Sequence, residues 1–349
     1  MSSADNLLNR FSGSLVAGAA GDALGYVVEF ISRQAILARY GHAGITRYDI
    51  DPDWTKAQVS DDTQMTLFTA EGLLDARLQG CDNDDAALIR CVTDAYLRWY
   101  TTQTRHFTPG GEGLLGVHEL WARRAPGNTC LSALRSLASG NAVDNTSKGC
   151  GGIMRVAPVA LFAVASPTAA WTDEHIARIA GLTAFITHHH PLSTLSSAVC
   201  AVIIAHACLA DAPFTAADYV AATEAGCIAA EKAFPGGGRY MKQLRMLLEA
   251  TIKAAGSTQS DAEAVASLGE GWVAEETLAI ALASVMRHPD DVRAALAMAV
   301  NHNGDSDSTG AVAGNIIGAS LGYQAIPADL ADDVELQPLL LDTATRLAK

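Results

Sequence analysis

Positive charge is scarce in this chain. Its 349 residues carry 24 Lys and Arg against 38 Asp and Glu, a formal net charge of −14. A nucleic-acid backbone is bound by clustered Lys and Arg, so it is excluded as the partner, and an anionic membrane surface with it. An anionic small ligand stays open, because cations and helix N-termini reverse the sign locally. Paired cysteines are missing too. The seven stand at positions 81, 91, 130, 150, 200, 208 and 227, with no C-x-x-C among them. Odd in number and set in apolar text, they read as reduced core thiols of a cytoplasmic protein. The opening residues lack the basic and apolar regions of a secretory signal. No charge-free run reaches the roughly 18 strongly apolar residues of a membrane span; the stretch 310–323 comes closest and is short and glycine-rich.

Strand alternation is absent as well, with residues 45–48 the one serious exception, and no βαβ rhythm appears. Helical periodicity fills the space instead. It predicts helices over 4–21, 63–79, 84–101, 129–137, 157–165, 173–186, 191–209, 216–233, 238–255, 274–285, 290–300 and 307–323, separated by Pro, Gly and Asn/Asp clusters. Residues 256–270 read as a polar surface loop. No linker divides the chain, so the expected architecture is all-α, one domain over residues 1–349 with about a dozen helices. Gly310, Gly314, Gly318 and Gly322 recur every four residues and would form a bare stripe on one helix face. Gly18, Gly21 and Gly25 offer a second small surface, and the two are expected to pack together beneath a site.

Two short acidic motifs lie at opposite ends of the chain, Ser60-Asp61-Asp62-Thr63 and Gly304-Asp305-Ser306-Asp307-Ser308-Thr309-Gly310. Each precedes helical text, and each alone reads as a helix N-cap with acids at the favourable end of the dipole. Together they invite another reading. Buried carboxylates need a partner or a metal, and only Lys56 stands near either motif. Hard cations want about six oxygen ligands, more than one short segment supplies. Brought together, the segments would make an oxygen-only site large enough for two Mg²⁺ or Mn²⁺ ions.

Three further elements carry alternatives. Asp22, in Gly21-Asp22-Ala23-Leu24-Gly25, and the following Glu29 are either structural or part of that site. The turn Ser147-Lys148-Gly149-Cys150-Gly151-Gly152 is either a tight connection or a set of backbone N–H groups for phosphate. In Thr187-His188-His189-His190-Pro191 the three imidazoles point in different directions without a second His/Cys set, so zinc is disfavoured. A single histidine, His188, contacting a phosphate or capping a helix fits better.

Taken in order, the segments GDALGYVVEF (21–30), SDDTQM (60–65), GCGGIMRVAPV (149–159), THHHP (187–191) and NHNGDSDSTGAVAGNIIGASLG (301–322) resemble the ADP-ribosylglycohydrolase family. The resemblance implies an all-α domain with two Mg²⁺ or Mn²⁺ ions, held by Ser60, Asp61 and Asp62 on one side and Asp305, Asp307 and Ser308 on the other. It implies Glu29 as the catalytic carboxylate with Asp305 beside it and Asp22 in support. Ser147, Gly149 and Gly151 would line a diphosphate cradle, and His188 would sit near the diphosphate or ribose. This chain departs from the pattern at Cys150, where some members carry Asn, at Ile153, where some carry Ala or Leu, at Lys148, where some carry an aromatic, and at Ser60 and Ser308, where many carry Thr. The implied reaction is hydrolysis of ADP-ribose from a modified protein side chain, arginine first. The alternatives are hydrolysis of a small ADP-ribosyl conjugate, decided by loops such as 104–116, or a binding protein that neutralises a cognate ADP-ribosyltransferase.

Overall fold

The computed structural model describes residues 3–166 and 171–349; residues 1 and 2, the start of the segment read for a signal, lie outside them. The described residues form sixteen α-helices. They are α1 (Ser3–Tyr26), α2 (Arg33–Tyr40), α3 (Asp61–Leu78), α4 (Asp85–Thr104), α5 (Asn128–Ala138), α6 (Ala157–Ala165), α7 (Asp173–Phe185) and α8 (Pro191–Leu209). The second half adds α9 (Ala216–Ala233), α10 (Gly238–Ala255), α11 (Asp261–Ala266), α12 (Ala274–Arg287), α13 (Val292–Val300), α14 (Ser306–Leu321), α15 (Ala328–Asp332) and α16 (Gln337–Leu347). Local chemistry starts them where it should. Asp84, Thr172, Thr215, Ser260 and Asp291 each accept a first-turn N–H, and at Thr215 and Ser260 the bond is reciprocated as a capping box.

The all-α architecture expected from the periodicity is the one observed. The helices α2, α15 and α16 lie where the periodicity marked none, and three further details differ. The polar stretch 256–270 is not all loop but holds α11 behind its Ser260 cap. Residues 45–48 form no strand, because the Asn301 side chain takes up that backbone. Its Oδ1 accepts from Ile45 N at 2.8 Å and its Nδ2 donates to Ile45 O at 2.9 Å, the pair of bonds a neighbouring strand would have supplied. Finally α8, rather than 310–323, is the helix long and apolar enough to cross a membrane by length and composition. It is 89% buried inside the protein and serves as the central core helix between α7, α9 and α12.

One seam organises the rest. α1 and α14 run against each other along their whole length, with backbone meeting backbone. A β-carbon at Gly21 would run into the Gly310 carbonyl, one at Gly25 into Ser306, one at Gly314 into Ala17 and one at Gly318 into Gly13. Where polar groups fall in this seam they are paired across it. Ser14 Oγ donates to Asn315 O at 2.9 Å and Asn315 Nδ2 donates to Ser14 O at 2.8 Å. At the far end the buried Arg10 guanidinium donates to Ala319 O and Ser320 O of α14 and to Ala207 O and Ala210 O at the end of α8. It satisfies carbonyls that helix C-termini leave open, and its charge suits that end of the dipole. The expected Gly-rich packing is therefore present, with Gly13 as an additional partner.

Gly21→Ala is expected to destabilise the protein by at least ~2 kcal/mol, because the obstructing atom is a backbone carbonyl that cannot rotate away. Gly238→Ala, at a helical position with open space around it, is expected to be neutral or stabilising by up to about 1 kcal/mol. Chemical denaturation of the two variants checks the contrast; equal effects would contradict the close-seam argument.

Candidate active site

The seam carries two helix N-termini to one place. Ser60 caps α3 by accepting from Asp62 N at 3.2 Å, and Asp305 caps α14 by accepting from Ser308 N at 3.3 Å. Gly304, at φ 124°, makes the turn that lets Asp305 N reach Glu270 O at 2.9 Å. Asp61, Asp62, Asp305 and Asp307 thus all sit in first turns, where the helix dipoles favour negative charge. The N-cap reading and the site reading of these residues are both realised in one structure.

Glu29 joins them from the turn after α1. One oxygen each from Glu29, Asp305 and Asp307 lies within 4.8 Å of the other two. All three side chains are buried, and no Lys or Arg pairs with any of them among the described residues. Burial pushes Glu29 up to about 10, helped by the charges of Asp307, Asp305 and Asp61. Burial, with Asp307 alongside, pushes Asp61, Asp62 and Asp305 well above the carboxylate range, and Asp307 rises too, from burial. Glu29 Oε2 and Asp62 Oδ2 are buried without a hydrogen-bond partner. Orphaned oxygens, clustered acids and facing hydroxyls at Ser60 and Ser308 fit hard divalent cations.

A cavity of about 730 Å³ opens above this cluster. Glu29, Asp61, Asp62, Asp305, Asp307 and Ser308 line its floor, and Gly149, Cys150, Gly151 and His188 line one wall. The glycines are needed there, since a β-carbon on Gly151 would fall 2.8 Å from the His188 ring and 2.8 Å from Cys130 Sγ. The Gly149–Gly152 turn is fastened to the segment before α12: Cys150 N donates to Trp272 O at 3.3 Å and Ala274 N donates to Lys148 O at 2.9 Å. Lys148 also pairs with the buried Glu275 of α12.

Asp22, Ser147 and Ser60 do not line the cavity itself. Asp22 is fully buried and accepts from Ser60 N at 2.9 Å, Thr63 N at 3.0 Å and Thr63 Oγ1 at 2.5 Å. It caps α3 from α1 and so positions the acidic motif; burial and Asp307 raise it to about 7. Ser147 accepts from Gly149 N at 3.3 Å and bonds Thr129 Oγ1 at 3.1 Å, shaping the turn rather than lining the cavity. Ser60 is fully buried, with its hydroxyl turned toward Asp307. Of the three histidines only His188 meets the cavity. His189 stacks on Phe185 with ring centroids 4.0 Å apart, and His190 caps α8 by accepting from Leu192 N.

Other lining residues were not anticipated. Segment 123–130 forms the opposite wall, where Gly127 N donates to Asp61 Oδ2 at 3.2 Å and Arg123 stands exposed at the rim. Phe30, 72% exposed, and Trp272, 40% exposed, stack at the mouth with centroids 6.2 Å apart. The one sequence signal for them is an aromatic beside motif or glycine text, Phe30 after Glu29 and Trp272 after Gly271.

An all-α hydrolase with an oxygen-donor cluster under a glycine-walled cavity is the class these features define. The chain belongs to the ADP-ribosylglycohydrolase family, whose profile matches residues 3–349, which makes it a glycohydrolase. It is 25% identical over 339 residues to the ADP-ribosyl-(dinitrogen reductase) glycohydrolase of Rhodospirillum rubrum, spanning 91% of this chain and 88% of that protein. A solved structure titled ADP-ribosylglycohydrolase-related protein complex superposes with a TM-score of 0.61 at 24% identity, covering 99% of this chain and 98% of that one, and shares the fold.

The raised carboxylates give a pH dependence with a definite sign. A native state that holds protons the unfolded chain has released loses stability as pH rises. For Asp22 that window runs from the ordinary value of 3.8 to about 7, and for Glu29 from 4.5 to about 10. In EDTA the melting temperature is expected to fall between pH 5 and pH 8, and added Mg²⁺ or Mn²⁺ should reverse the fall. A melting temperature that rises over this range in EDTA would contradict the assignment.

Proposed function

We propose that this protein is a divalent-cation-dependent hydrolase that removes ADP-ribose from modified protein side chains, with arginine as the acceptor. The observation that carries the reading is the cluster of Glu29, Asp305 and Asp307 oxygens, unpaired with any cationic side chain among the described residues, on the floor of a cavity walled by a glycine turn. Its relative from Rhodospirillum rubrum bears the name of an enzyme acting on ADP-ribosylated dinitrogen reductase, and that supports a modified protein as substrate here.

On this reading Ser60, Asp61 and Asp62 would hold two Mg²⁺ or Mn²⁺ ions together with Asp305, Asp307 and Ser308. The chemistry such ions supply when bound is Lewis acidity toward the ribose hydroxyls and toward water. The protein's own groups do the rest. Glycosidic cleavage passes through a state with positive charge on the ribose ring: the C–N bond breaks, its electron pair leaves with the arginine guanidine, water adds to the ribose carbon, and the Glu29 carboxylate, with an unpartnered oxygen in the cavity floor, takes the proton of that water. Its raised pKa keeps it protonated while the floor is purely acidic; compensation of the floor's charge returns it to the base form. Asp305, hydrogen-bonded through its backbone to Glu270 and capping α14, orients this floor. The turn at Gly149–Gly151 receives the diphosphate, with His188 donating from beside it, and the Phe30 and Trp272 rings provide stacking surface for the nucleobase.

The test is release of ADP-ribose from an arginine-ADP-ribosylated protein, in EDTA and after Mg²⁺ or Mn²⁺ add-back. Cation-dependent release is expected. Asp61→Asn and Asp305→Asn should each cut activity at least about 100-fold and abolish the thermal shift on adding cation. His188→Ala should cost far more activity than His189→Ala or His190→Ala. Absence of release from the arginine linkage, with release from a serine-linked substrate, would move the acceptor; no thermal shift with either cation would remove the metal site.

A further inference from the structure

Arg155 is the largest charged side chain that the site as described leaves unused. It is fully buried and has no carboxylate partner among the described residues. A guanidinium taken out of water without a counter-charge is costly, and what surrounds it is neutral. The Tyr96 ring lies 4.3 Å from Cζ, and Nη1 points to Met65 Sδ at 3.1 Å and Cys130 Sγ at 3.4 Å. Nη2 donates to Thr187 Oγ1 at 2.5 Å. Thr187 Oγ1 in turn lies 2.8 Å from Nδ1 of His188. The chain Arg155–Thr187–His188 ends at the cavity wall.

Direction follows from chemistry. A guanidinium only donates, so Thr187 accepts from Arg155 and its own hydroxyl proton is free to donate. Two acceptors are near it, the imidazole nitrogen and the Cys130 sulfur, and sulfur is the much weaker one. The fixed positive charge of Arg155 also disfavours a second proton beside it on Nδ1. We propose that Arg155 and Thr187 are positioning residues that hold His188 as its neutral tautomer with the proton on Nε2, presenting one fixed hydrogen-bond donor to an anionic diphosphate oxygen at the Gly149–Gly151 turn. No protein group among the described residues bonds that Nε2, and Gly149 and Gly151 lie against it, each near enough that a β-carbon would come within 3.4 Å and 3.2 Å of the nitrogen. Burial and the Arg155 charge push His188 down to about 3, so the ring stays neutral throughout the working range and its donor is set by tautomer alone. The donor's target rests on the ADP-ribose reading; the tautomer does not.

Long-range ¹H–¹⁵N correlation on full-length protein labelled at histidine, with His188→Ala to assign the ring, reads the tautomer without ligand or turnover. The expected result is a bare Nδ1 and a protonated Nε2, unchanged from pH 5.5 to 8. A protonated Nδ1, or a ring that titrates in that range, overturns the proposal and needs no variant. Thr187→Val should release the tautomer preference and weaken ADP-ribose binding roughly 10- to 100-fold, and Thr187→Ser should restore both. Thr187→Val that keeps the Nε2 proton and wild-type affinity also overturns it. Failure of wild-type protein to bind ADP-ribose at all would count against the diphosphate as ligand, and the tautomer result separates that failure from failure of the relay.

Discussion

Everything in this molecule depends on two backbones touching. α1 and α14 approach so closely that carbonyl oxygens occupy the space side chains would take. Close contact over several turns leaves few ways for the pair to slide, since each glycine fits one partner. Asp22 is thereby placed under the α3 N-terminus and Glu29 over the α14 N-terminus. Sub-ångström placement of carboxylates is what a cation site demands, and a glycine seam supplies it without relying on rotamers.

The electrostatics follow the same economy. Acids from three segments are held against mutual repulsion and the cost of burial by helix dipoles and by N–H donors from Ser60, Thr63, Gly127 and Ser308. Among the described residues no basic side chain is spent on neutralising them. Two buried guanidiniums elsewhere, Arg10 at the far end of the seam and Arg155 behind the cavity wall, are used differently. Arg10 gathers helix carbonyls, and Arg155 meets sulfur, an aromatic face and a hydroxyl. Positive charge is kept off the floor, which leaves the carboxylates available to a diffusible cation.

Much of this was legible in the sequence, and the reasons are local. Helices were legible because Ala and Leu recur at helical spacing between capping residues. The seam was legible because glycine every fourth residue leaves one helix face bare for another backbone to approach. The acidic floor was legible from hydroxyl-acid clusters before helical text. What escaped depended on contacts far apart in the chain. Asp22 reads equally as a structural cap or a part of the site until Ser60 and Thr63 are seen to occupy its oxygens. Ser147 looks like a cradle residue until it is seen facing Thr129. Residues 45–48 look like a strand until Asn301 is found taking their hydrogen bonds. The rim at 123–130 and Trp272 carry no motif, and Phe30 closes one without a stated role, since a wall is specified by where its backbone passes.

Arg10 has a consequence for biosynthesis. It meets Ala319 across 309 residues of sequence, and its whole helix is matched to one made near the end of the chain. At about 5–20 residues per second of translation, the first helix waits roughly 15–60 s for its partner. During that interval a glycine-rich, apolar surface stands without its cover while the central helices assemble around α8. The growing chain therefore carries that face of α1 uncovered until α14, about 300 residues later, has been made.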